Sequence, residues 1–158
     1  MKYWLMKTEP NTYSWSDLKR EKNRITSWEG VRNYQARNFM RDEMKAGDGV
    51  FIYHSVVQPM AIMGIAEVVR EAYPDHFAFD PGHKYYDPKS SPENPRWVMV
   101  DVRAVAEFES PVPLRQLKNI PQLAEMMLLQ KGSRLSIQPV SKAHWDIICT
   151  RYKLIELD

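Results

Sequence analysis

The sequence predicts an α+β fold, a strongly bent or barrel-like sheet with short helices at its periphery. Its strands outnumber and outweigh its helices. Those helices are intercalated among the strands rather than alternating with them regularly, which disfavours a doubly wound sheet. Gly64 interrupts a long apolar run where a strand would bulge or admit a close backbone approach. A length of 158 residues with 44% hydrophobic content suits one domain over residues 1–158 with a sizeable core.

Taken in order, Tyr3 to Lys7 reads as the first strand. Ser14-Trp15-Ser16-Asp17 has capping-box spacing and should start a helix through about Lys22. From Asn33 to Met44, apolar Ala36, Phe39, Met40 and Met44 recur at helical spacing, which turns Arg37 and Arg41 to another face. Ala46 to Gly49 breaks that helix and feeds a strand through Val50 to His54. A turn at Gln58-Pro59 precedes a strand over residues 60–71. Residues 97–108 alternate as a half-buried strand, with Val98, Val100, Val102 and Ala104 on one side. Two short helices at 113–118 and 121–129, a strand at 135–140 and a helix at 141–152 complete the chain.

Residues 72–96 lack periodicity yet carry five prolines and five aromatic residues. Disordered segments are poor in aromatics, so this one should be pinned on the domain, either as a lid beside a pocket or as cover for a sheet edge.

No run of about 18 apolar residues exists, and the first residues are too charged for a secretory signal. No membrane association and a cytoplasmic location are expected, or a nuclear one in a eukaryote. Cys149, the single cysteine, excludes an intramolecular disulfide and lies among apolar neighbours as a packed thiol would. Seven basic residues between 19 and 41 face only Glu21 and Glu29, a net +5 on a chain of +2. Such asymmetry fits a polyanion touching one face, or simply a solvated helix face.

Phosphate-cradling, dinucleotide, HExxH and GxSxG motifs are all missing. His54 and Ser55 are neighbours on a strand and would point to opposite faces, which argues against their acting as base and nucleophile. His76, Asp80, His83 and Asp87 have metal-ligand side chains without the spacing of a zinc or calcium motif, and His and Asp also build loops. No cofactor or metal is expected.

Residues 28 to 38 combine an aromatic ring, a glycine, arginines and amides: Trp28, Gly30, Arg32, Asn33, Gln35, Arg37 and Asn38. A ring stacks on a nucleobase, an amide bonds its edge, and guanidinium groups hold phosphates. The same residues also suit a loop entering a surface helix, with Trp28 as a core plug. Tyr53, His54 and Ser55 end one strand while Arg134, Ser136 and Gln138 begin another, and strand ends converge at a barrel mouth, where Tyr86 or Trp97 would close a site. Each of these has a structural alternative, such as Arg134 pairing with Asp101.

Together, the opening Tyr3 to Pro10, Trp28 to Asn38, Tyr53-His54-Ser55, Gly64 to Val68, Tyr85 to Pro88 and Arg134 to Val140 resemble the EVE domain almost from end to end. The resemblance implies a PUA-like bent β-barrel with short flanking helices, distantly related to YTH domains, which hold a methylated adenine in an aromatic cage. It places Trp28, Gly30, Val31, Arg32 and Asn33 at a base pocket, with Tyr53, His54 and Ser55 beside them and Arg134, Ser136 and Gln138 from the late block. Only Trp28 has a counterpart in the YTH cage.

The function expected is recognition of a modified nucleobase, a modified cytosine in DNA or a modified RNA base, with Arg37 and Arg41 on phosphates. A partner nuclease or modification enzyme would fit such a module. Trp28→Ala is expected to weaken binding while leaving the fold intact. The competing expectation is an enzyme acting on a nucleobase or small heterocycle, with His54 or His83 as acid or base.

Overall fold

A computed structural model describes all residues from 1 to 158. Seven strands form one mixed sheet: β1 (Tyr3–Thr8), β2 (Ile25–Ser27), β3 (Gly49–His54), β4 (Ala61–Pro74), β5 (Val98–Pro113), β6 (Ile137–Val140) and β7 (Leu154–Glu156). Along the sheet the order is β2-β5-β4-β3-β1-β6, and β7 pairs separately with β5. Only β1 and β3 run parallel, which requires a crossover between them. That crossover carries α1 (Trp15–Arg20), β2 and α2 (Tyr34–Asn38). The two ends of the sheet, β2 and β6, do not pair, so the barrel is bent without closing.

Both faces of the sheet are covered, and strand alternation divides the core in two. Trp4, Met6, Val50, Ile52, Val100 and Val102 face α1, α2 and the segment at Trp28 and Val31. Leu5, Phe51, Tyr53, Ile62 and Phe108 face α3 (Leu114–Leu117) and α4 (Lys142–Arg151). Bulges let the long strands serve both cores. The pairing of β4 with β5 shifts between Ile65 and Ala66, opposite Ala106 and Ala104, so one extra residue, Val105, reverses the alternation of β5. Ala104 lies in the first core and Ala106 in the second. The alternation expected over 97–108 therefore holds only to Ala104.

Gly64 shows why the apolar run needed a glycine. A Cβ there would lie 2.3 Å from the Trp15 indole and 2.7 Å from the Ala106 carbonyl oxygen. Trp15 is fully buried, donates its indole N–H to Glu107 at 2.9 Å, and donates its backbone N–H to His54 Nε2 at 3.0 Å. The capping box at Ser14 and Asp17 starts α1 as its spacing predicts.

Several boundaries differ from expectation. The helix expected from Asn33 to Met44 is α-helical only through Asn38, after which Phe39–Glu43 widens into a π-helical turn closed by Met44 N–H on Phe39 O. Residues 121–129 form two 3-10 turns, Pro121–Leu123 and Met127–Leu129, rather than one helix. Strands β2 and β7 have three residues each, too few for a periodic pattern. No helix is long and apolar enough to cross a membrane. Cys149 is half-buried against the second core, and burial pushes its thiol up to about 11.

Candidate functional site

A cleft of about 340 Å³ opens where the end of β1, the loop leading to α1, β2 with the turn after it, and the loop following β4 meet. Its volume falls near the lower end of the range for small-molecule sites, roughly 300–1,000 Å³. Trp28, Tyr13 and Tyr85 supply its aromatic surface, and Thr8, Thr12, Thr26, Ser27 and Ser136 its side-chain hydroxyls.

Trp28 is both lining and core. Its backbone N–H donates to Val100 O at 2.8 Å, continuing the β2 pairing by one residue. With 8% exposure it packs in the first core, and Tyr13 meets it edge-on, ring centroids 6.4 Å apart. Truncating Trp28 would therefore open the core, and the expectation that Trp28→Ala leaves the fold intact is corrected on this ground.

Gly30 makes room for Tyr85 in the lining. It has φ +85°, and the Tyr85 ring lies 2.4 Å from where a Cβ would project. The loop that delivers Tyr85 is fastened by Asp75, which is fully buried and accepts from Gly30 N–H, Arg32 Nη1 and Phe77 N–H at 2.9, 2.9 and 3.0 Å. Arg32 also donates twice to Tyr85 O, at 3.2 and 2.7 Å. Residues 83–85 thus line the cleft, as a lid would.

The remaining expected residues are distributed as follows. Val31, Arg32 and Ser136 line the cleft with Trp28 and Gly30. Asn33 instead caps α2, its side chain accepting from Ala36 N–H at 3.0 Å. Tyr53 is buried in the second core, where burial pushes its hydroxyl up to about 12. His54 serves Trp15, and Ser55 donates to Thr8 O. Gln138, 1% exposed, donates to Ser133 Oγ and Leu135 O, pinning the turn before β6, while Arg134 on that turn is exposed. Tyr86 is 41% exposed and outside the cleft; its neighbour Tyr85 is the residue that closes it.

Sequence reasoning missed Tyr13 and Tyr85. Neither lies in a periodic element, so periodicity did not signal their direction, although Tyr85 opens one of the blocks that resemble the EVE domain. His83 does line the cleft, with Nδ1 accepting from Tyr85 N–H, and the carboxylates of Asp80 and Asp87 accept from backbone N–H groups of their own loop. No group of three or more His, Cys, Asp or Glu side chains is arranged to hold a metal ion.

Much of the positive surplus of residues 19–41 is neutralised internally. Lys19 pairs with Glu107, Arg20 with Asp17, Arg32 with Asp75 and Arg41 with Asp42. Arg37 differs: its guanidinium donates to Asn38 Oδ1 and to the Arg96 carbonyl, both neutral. Within the cleft, Lys7, Arg32 and Lys84 stand against Glu9 and Glu29, and burial lowers the Lys7 ammonium from its ordinary value.

A bent, unclosed sheet with a cleft lined by aromatic rings and hydroxyls defines a PUA-like domain with a ligand-sized recess. The chain belongs to the EVE domain family, whose model matches residues 2–151. It is 41% identical to human thymocyte nuclear protein 1 over 92% of this chain and 72% of that one. A crystal structure of a protein from Pseudomonas syringae is similar at 45% identity and TM-score 0.88, covering 94% of this chain and 98% of that one. The human THYN1 protein, solved in complex with DNA containing 5-methylcytosine, is 40% identical with TM-score 0.89 over 96% of this chain and 97% of that one.

Proposed function

We propose that this protein is a binding module that takes a modified cytosine of DNA, unstacked from its neighbours, into the cleft between Trp28 and Tyr85. The observation that carries the reading is the cleft itself, lined by the aromatic rings of Tyr13, Trp28 and Tyr85 together with serine and threonine hydroxyls. Rings bind a base face, and hydroxyls donate or accept at its edge as needed. The complex of the human THYN1 protein with 5-methylcytosine DNA supports the same ligand class here. Trp28, Gly30, Val31, Arg32 and Ser136 are the proposed lining, with Tyr13 and Tyr85 added to them. Arg32 acts chiefly by fastening Tyr85, and Arg37 is the candidate for phosphate contact.

Fluorescence anisotropy with oligonucleotides carrying 5-methylcytosine or cytosine tests the proposal. Wild-type protein should prefer the modified strand. Tyr85→Ala should weaken that binding about tenfold, the stacking of one base contributing roughly 1–3 kcal/mol. Equal affinity for both strands overturns the reading. Mass spectrometry of the same oligonucleotides after incubation should show every mass unchanged; an altered base would instead favour an enzyme, with His83 in the cleft as the first candidate acid or base.

A further inference from the structure

Outside the cleft, Tyr34 at the start of α2 is 50% exposed. It stacks on Trp97 with centroids 4.8 Å apart and planes at 28°. The Arg37 guanidinium lies 4.7 Å from the Tyr34 ring and 6.0 Å from the Trp97 ring. At 6.0 Å from Trp97 it cannot lie directly across Tyr34 from that ring, where the distance would be about twice the stacking separation, and half of the Tyr34 side chain stays exposed. Arg96 completes the rim, its guanidinium 3.4 Å from the Tyr34 hydroxyl.

Charge on this patch is unbalanced. Neither Arg37 nor Arg96 forms an ion pair, and the partners of both are a side-chain amide, a carbonyl and a hydroxyl. Two carboxylates are near: Asp42 is engaged by Arg41, and Asp87 accepts the Trp97 indole N–H at 2.6 Å. Trp97 in turn lies 5.6 Å from Arg32, which lines the cleft. The patch and the cleft are therefore neighbours across one side chain.

Resting on the reading of the protein as a nucleic-acid binder, we propose that Tyr34, backed by Trp97 and flanked by Arg37 and Arg96, is a second contact. An unpaired base next to the one in the cleft stacks on the open face of Tyr34, and the two guanidinium groups hold its phosphates. An aromatic platform with unpaired cations at its rim is the chemistry that binds single strands without regard to sequence. Binding there is independent of base modification.

Unmodified single-stranded oligonucleotides, one DNA and one RNA, each containing 2-aminopurine, test this directly because stacking quenches the probe. Wild-type protein should quench it, Tyr34→Phe should do the same, and Tyr34→Ala should lose the quenching and bind about fivefold more weakly or worse. Tyr34→Ala removes a half-exposed ring, and its thermal melting, measured alongside, should remain close to wild type. Replacing Arg37 and Arg96 by Gln should each flatten the slope of log affinity against log salt by about 0.7. Quenching of only one of the two strands identifies the preferred nucleic acid and supports the platform.

Undiminished quenching by Tyr34→Ala overturns the proposal, as does an acidic peptide that binds through Tyr34 while neither oligonucleotide does. The outcome is separable from that of the cleft. Loss of preference for 5-methylcytosine with quenching intact would remove the cleft reading and leave the platform standing.

Discussion

The carboxylate of Asp75 and the guanidinium of Arg32 meet at 2.9 Å, the carboxylate without solvent exposure and the arginine side chain 23% exposed. Since Asp75 also accepts from Gly30 and Phe77, this one side chain ties the turn after β2 to the loop after β4. Breaking such a pair from one side leaves a charge without its partner. Asp75→Ala should cost about 3 kcal/mol of stability, read from urea unfolding. Asp75→Asn, which keeps one acceptor oxygen, should cost less. Limited proteolysis should cut within residues 80–96 sooner in both variants.

Gly30→Ala should lose stability and binding together. An L-residue at φ +85° is strained by about 1–2 kcal/mol, and its Cβ would displace the Tyr85 ring. Gly47 has φ +95° with no atom within 4 Å of a Cβ, so Gly47→Ala carries the backbone strain alone. Comparing the two variants for affinity toward 5-methylcytosine DNA isolates the contribution of the ring position. Only Gly30→Ala should bind more weakly.

At Gly64 the obstacle is a backbone carbonyl as well as an indole, and neither has room to move. Gly64→Ala should destabilise by about 1–3 kcal/mol, the usual cost of overpacking a core. A lowered melting temperature with altered tryptophan fluorescence would register the shift of Trp15.

Burial holds the His54 imidazole below its ordinary value of 6.5, and its Nε2 accepts from the Trp15 N–H, which an imidazolium cannot do. Above that pH neither the folded nor the unfolded chain is protonated here, and this source of stability is complete. As pH falls through the unfolded value toward the lowered folded one, the unfolded chain binds more protons and stability declines. Urea midpoints should fall as the pH drops below about 7, ahead of the carboxylate range. His54→Gln, whose amide oxygen can accept the same bond, should flatten that slope.

Elements with strong local chemistry were legible in the sequence: the capping box at Ser14, the alternation through Ala104 and the glycine at 64. The π-helical turn was not, because its apolar residues keep helical spacing while one hydrogen bond widens. At the site, the segment containing Trp28, Gly30 and Arg32 announced itself by mixing rings, glycine and charge. Tyr53 near the end of β3 and Gln138 near the start of β6 also carry polar groups, yet burial in the core accounts for the first and internal hydrogen bonds for the second. In an aperiodic loop, Tyr85 and Tyr86 are indistinguishable until Asp75 and Arg32 fix the backbone between them and the cleft. Long-range partners of this kind have no local signature.

Val105 makes β5 two ribbons in sequence, spliced with opposite sidedness. Because strand side chains repeat every two residues, deleting it would turn one half of the ribbon inside out. Either Val100 and Val102 would leave the layer beneath Trp28, or Phe108 and Val112 would leave the one beneath α3. Within β5, the stretch beneath the cleft and the stretch that braces it are thus kept in phase by one supernumerary residue.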